Sequence, residues 1–146
     1  MGYYIKQTDC KFKILKENFP SIIAAVKDLM GKKELMSGGT WADGYQKEAW
    51  FSWVSTDQVL SALEVGSVDG VFSAWRYSII TDNDGNISSI RFGGEKYGDD
   101  DCFWSVIAPY VENGSYIEML GEGGEAFRWC FDNGEFTTKY PSLEWV

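Results

Sequence analysis

Apolar side chains recur at helical spacing early in this chain and at strand spacing in its second half. Ile22, Val26, Leu29 and Met30 fall at i, i+4, i+7 and i+8, with Asn18 placed to cap the helix, Pro20 in its first turn and Gly31 beyond its end. Before this helix, Tyr3–Ile5 and Phe12–Leu15 read as short extended segments. After it, the polar, glycine-bearing stretch Lys32–Gln46 reads as a loop and Trp50–Val54 as a short aromatic strand. Ser55 with Gln58 forms a capping-box pattern ahead of Val59, Leu60 and Leu63, and Ser67–Ala74 predicts a further helical turn or two.

From Trp75 the period changes to two. Asp84-Gly85 predicts a hairpin that sets Tyr77 opposite Phe92 and Ile79 opposite Ile90 on one face. Asn133-Gly134 predicts a second, with Phe131 opposite Phe136, Trp129 opposite Thr138 and Phe127 opposite Tyr140. A looser turn at Gly121–Gly124 joins Ser115–Leu120 to Glu125–Asp132. With a bulge in that turn Glu118 faces Arg128, and without one it faces Phe127. Between the hairpins Asp99 to Asp101 open a helix whose stripe is Phe103, Ile107 and Tyr110 or Val111. The expected fold is a single α+β domain over residues 1–146. About five C-terminal strands form an antiparallel sheet, packed with two to four helices and a mixed N-terminal segment.

Composition narrows the chemistry. The chain has no histidine and a net charge of −9, which excludes histidine general bases, Ser-His-Asp and Cys-His nucleophiles, and histidine-ligated metals. The charge is uneven: residues 1–73 carry eight Lys and nine acids, whereas residues 74–146 carry five basic residues and thirteen acids. Direct binding to nucleic acid is disfavoured, because that affinity comes from Lys and Arg displacing counterions. Three cysteines without a C-x-x-C pair argue for reduced thiols and a cytoplasmic setting. No apolar run reaches membrane-spanning length, and the first residues lack a signal-peptide pattern.

Catalytic and metal motifs fail on inspection. Asp82, Asp84 and Asn86 match the first positions of a calcium loop, but Ile87 stands where glycine is required and Gly93 where a bidentate Glu is needed. Gly93 and Gly98 have the spacing of a phosphate loop, but Asp99 and Asp100 replace its Lys and Ser. The sequence therefore predicts no catalytic residue, no cofactor and no metal. Most aromatics belong to the core, Phe127, Trp129 and Phe131 among them. Trp41 is the preferred exception, because an exposed Trp beside acids has the character of a protein-binding hot spot.

Phe51-Ser52-Trp53-Val54, Ala74-Trp75-Arg76-Tyr77, Gly94-Glu95-Lys96-Tyr97-Gly98-Asp99-Asp100, Gly114-Ser115-Tyr116-Ile117-Glu118-Met119 and Arg128-Trp129-Cys130-Phe131 resemble an uncharacterised family of small acidic proteins. That family is associated with anaerobic gut bacteria and their phages or mobile elements. The resemblance covers most of residues 50–146 and departs at Cys130, where an aliphatic or aromatic residue is usual. It implies a context of phage–host conflict and brings no activity with it.

The leading expectation is a non-catalytic binding protein whose acidic half covers a basic partner surface, such as an inhibitor of a host defence nuclease. Glu95, Asp99, Asp100, Asp101, Glu118, Glu122, Glu125 and Trp41 are the candidate contact residues. A nucleotide-like small-ligand binder using exposed aromatics is the alternative, and an immunity protein is a variant of the first reading.

Overall fold

Residues 3–143 and 145 are described in the computed structural model. Alternation begins at once: in β1 (Tyr3–Lys11) Ile5 points into the core while Tyr4 and Lys6 are exposed. In α1 (Phe19–Leu29) Ile22, Val26 and Leu29 are fully buried at the expected spacing. Asn18 occupies the cap position without capping; its amide instead donates to the Tyr110 carbonyl at 3.4 Å.

The stretch expected as a loop contains a hairpin, β2 (Gly38–Ala42) and β3 (Tyr45–Trp50). Asp43-Gly44 makes its turn with both residues in the left-handed region, at φ 53° and 83°. The strand expected at Trp50–Val54 is absent: Trp50 ends β3, and Phe51–Val54 forms a turn closed by the Val54 amide on the Phe51 carbonyl. α2 (Thr56–Val65) and α3 (Val68–Ala74) follow, capped by Ser55 on the Gln58 amide and by Ser67 on the Gly70 amide.

The remaining elements are β4 (Tyr77–Thr81), β5 (Ile87–Phe92), β6 (Lys96–Tyr97), α4 (Asp100–Ile107), β7 (Ser115–Gly121), β8 (Ala126–Asp132) and β9 (Glu135–Lys139). The architecture is α+β. Its main sheet has five antiparallel strands in the order β6-β1-β7-β8-β9, and β4–β5 and β2–β3 are separate two-stranded sheets. The membership differs from expectation in that β1 is the strand paired to β7, while β4–β5 stands apart. β1 is long enough to pair with β6 through Tyr3 and Tyr4 and with β7 from Ile5 to Lys11.

Registers follow the pattern closely. Tyr77 pairs with Phe92, Ile79 with Ile90, Phe131 with Phe136 and Trp129 with Thr138. Near the Asp84-Gly85 turn Thr81 pairs with Ile87 across a bulge, which offsets a wider turn and preserves the outer register. β9 ends at Lys139, so the expected Phe127–Tyr140 pair is not formed. Glu118 pairs with Arg128, the bulged alternative at the Gly121–Gly124 turn.

The concave side of the main sheet closes over an aromatic core. Phe12 meets Phe72, Trp104 and Phe131 edge-on at 6.5, 5.7 and 5.6 Å between ring centres, and Trp75 stacks on Phe103 at 4.9 Å. Edge-on and stacked pairs of this kind add to the area they bury. Among the described residues no helix is long and apolar enough to cross a membrane.

Candidate functional site

The structure disperses the acidic residues singled out from the sequence. Asp100 is fully buried at the start of α4, where its carboxylate accepts from Arg76 Nη2 at 2.5 Å, the Tyr77 hydroxyl at 2.6 Å and the Gly98 amide at 3.1 Å. Burial pushes its pKa up against the opposing pull of Arg76 and these donors. Asp99 is also buried, and its Oδ2 accepts from the amides of Ser37 and Ser52 at 2.9 and 2.8 Å. Both expectations of a surface role are corrected, because these carboxylates satisfy interior donors. Asp101 alone of the three is exposed.

Glu118 is half-buried on the convex face of the sheet. It accepts from Arg128 Nε at 2.9 Å and the Thr8 hydroxyl at 2.8 Å, and the guanidinium lies 4.2 Å from the Tyr116 ring centre. Its charge is spent within the chain. Trp41 is 66% exposed near the tip of the β2–β3 hairpin.

Glu95, Glu122 and Glu125, by contrast, gather at one end of the main sheet. The Ile5 amide donates to the Glu95 carbonyl at 2.9 Å, and the Glu122 amide donates to the Tyr4 carbonyl at 2.9 Å, so the two residues flank β1 at Tyr4 and Ile5. Glu125 accepts from the Tyr3 hydroxyl. Among the described residues neither Glu95 nor Glu122 forms an ion pair. A hollow of about 680 Å³ bordered by Tyr4, Lys6, Glu95, Leu120 and Glu122 lies here.

Next to it, and sharing Tyr4 and Glu95, is a recess of about 310 Å³ completed by Trp53, Arg76 and Lys96. Tyr4 and Trp53 are 45% and 46% exposed. The Lys96 ammonium lies 4.9 Å from the Tyr4 ring centre and 5.1 Å from that of Trp53. Arg76 forms the back wall, donating to the Lys96 carbonyl at 2.5 Å while its guanidinium lies 5.3 Å from the Phe92 ring centre.

Backbone strain converges on this recess. Among the described residues four non-glycine residues have positive φ. Asp43 and Asn133 sit in Asp-Gly and Asn-Gly hairpin turns that call for it. The other two, Trp53 at 66° and Arg76 at 77°, are large side chains and both line the recess. Such conformations cost of order 1–3 kcal/mol each and collect at sites whose geometry matters. Gly98 admits the Trp53 turn closely: a Cβ there would lie 2.7 Å from the Ser52 carbonyl oxygen and 2.8 Å from Trp53 Cδ1.

Sequence reasoning singled out Glu95, which lines this recess, but not Tyr4, Trp53, Arg76 and Lys96 as a group, since they come from four separate segments. No family model, curated protein or solved structure matches the chain.

Proposed function

We propose that the protein is a non-catalytic binding protein that holds a basic partner protein against the acidic, aromatic end of its main sheet. The observation that carries this reading is the position of Glu95 and Glu122, unpaired among the described residues, on either side of the exposed Tyr4. Unpaired carboxylates steer a basic partner from a distance, and flanking aromatics supply contact area at low entropic cost. The net charge of −9 works in the same direction. A nucleic-acid-handling enzyme suits such a surface, because its own basic groove is built for phosphates, and an inhibitor carried by a phage or mobile element is the biological role this implies. Three free thiols, Cys10, Cys102 and Cys130, fit action in the cytoplasm.

The test is cross-linked co-purification from host lysate at graded salt, comparing the native chain with Glu95→Gln/Glu122→Gln/Glu125→Gln. A partner with a basic surface, captured by the native chain and lost both in the triple variant and at high salt, is the expected result. Equal capture by the triple variant overturns the proposal.

A further inference from the structure

We infer that the Tyr4–Trp53 pair is a cage for a cationic side chain, arginine or lysine, of the bound protein, and that Lys96 fills this cage in the free molecule. This rests on the binding role proposed above and names the chemistry of its anchor. Two aromatic faces with a carboxylate at the rim make a site for an ammonium or guanidinium group, because the ring quadrupole attracts a cation on its face. A cation already occupies the site: Lys96 Nζ lies about equally far from both ring centres, at 4.9 and 5.1 Å.

Lys96 is suited to leave. Its backbone is fixed by pairing with Tyr4 and by the Arg76 bond to its carbonyl. Its ammonium has no carboxylate partner among the described residues, so the flexible stem can swing out without breaking an ion pair. The rings, in contrast, are held. Trp53 is fixed by its left-handed backbone and the close approach of Gly98, and Tyr4 by its place in β1 between β6 and Glu122. The back wall adds no free charge, because the Arg76 guanidinium is neutralised by Asp100 at 2.5 Å. An incoming cation would replace the Lys96 contacts and meet the Glu95 carboxylate at the rim.

The probes are N-butylguanidinium and, as the anionic aromatic counterpart, adenosine monophosphate. Each is titrated into the ¹⁵N-labelled full chain while the Trp53 indole N–H resonance is followed. Lys96→Met, which keeps the stem and removes the charge, should bind the guanidinium about three- to tenfold more tightly than the native chain. Tyr4→Ala should lose that binding, and so should Trp53→Leu, which lacks the indole and is followed instead by the backbone amide resonances of Tyr4 and Lys96; either variant decides if the other does not fold. Unchanged or weakened guanidinium binding in Lys96→Met overturns the cage. So does adenosine monophosphate binding that depends on Lys96, which would make the recess an anion site. Failure of the cage is separable from failure of the wider reading. The charge-neutral glutamate variant tests partner capture without altering Tyr4, Trp53 or Lys96.

Discussion

Gln7 and Phe92 lie in different sheets and are joined as though they were neighbours in one. The Gln7 amide accepts from the Phe92 backbone N–H at 2.7 Å and donates to the Ile90 carbonyl at 2.9 Å. β1 and β5 diverge here, and one side chain stands in for the missing peptide. The Ile5 amide on the Glu95 carbonyl and the Ile14–Ile87 bridge hold the two segments together on either side of this gap. The separate β4–β5 hairpin is thus tied to the main sheet, and with it the segment that carries Glu95 and Lys96.

Gln7→Ala should therefore orphan the donor on Phe92 and leave the Ile90 carbonyl with only the weak Cys10 thiol donor at 3.4 Å, at a cost of about 1–3 kcal/mol. Gln7→Glu should do little better. A carboxylate can accept from Phe92 but only repels the Ile90 carbonyl. Urea denaturation of the three proteins measures this, and parity between the native chain and both variants would contradict the account.

The buried pair behind the recess predicts a larger effect. Asp100→Asn leaves the Arg76 guanidinium, whose side chain is only 15% exposed, without its counter-charge. Removing one partner of a buried pair typically costs about 3–5 kcal/mol. The same change should shift the Trp53 indole resonance, because Arg76 also fixes the Lys96 carbonyl at 2.5 Å. A stable Asp100→Asn variant with an unmoved Trp53 signal would separate the pair from the recess.

Much of the fold was legible because its local signals agree with one another. The β4–β5 and β8–β9 registers follow from Asp-Gly and Asn-Gly turns set within alternating residues, and α1 follows from its apolar stripe. The β2–β3 hairpin escaped because it packs neither face into the core, so no alternation marks it. Its turn, Asp43-Gly44, is nevertheless the same dipeptide that reveals β4–β5. Long-range pairing was not legible: nothing near Tyr3–Lys11 indicates that it lies beside residues 96–97 and 115–121. The recess depends on that pairing, which is why acid content pointed to its rim while its aromatic walls went unread. Asp99 and Asp100 looked like surface charge because local sequence does not reveal donors arriving from Ser37, Ser52, Arg76 and Tyr77.

The alkaline limb of stability should belong largely to tyrosine. The Tyr97 hydroxyl is pushed up to about 12 by burial and by the nearby charges of Asp101 and Asp100. An unfolded tyrosine releases its proton near pH 10, so between pH 10 and about 12 the folded state holds a proton the unfolded chain has lost. Stability is then fully present below pH 10 and falls as pH rises through that window. Tyr77, raised by burial and by Asp100, and Cys102, pushed up to about 11 mainly by burial, act in the same direction. Tyr97→Phe should make the alkaline decline shallower in pH-dependent urea titrations. An unchanged slope above pH 10 would rule this contribution out.

Asp99 makes the last prediction, at the base of the β2–β3 hairpin. Its single oxygen Oδ2 accepts from Ser37, which precedes β2, and from Ser52, which follows β3, so one carboxylate clamps both ends of the arm. A lone two-stranded hairpin is marginal in water, and this one exposes Trp41 and Tyr45 toward its tip. Asp99→Ala removes two charge-assisted bonds, each worth about 1.5–3 kcal/mol. The core aromatics Phe12, Trp104 and Phe131 do not depend on the arm for their contacts with one another. The loss should therefore appear as local opening: faster amide exchange and earlier proteolytic cleavage within residues 38–50, with protection retained in β7 and β8. Equal loss of protection in β7 and β8 would show instead that the clamp stabilises the whole fold. Because Ser52 leads directly into Trp53, the variant should also loosen one wall of the recess, which the Trp53 indole resonance would report.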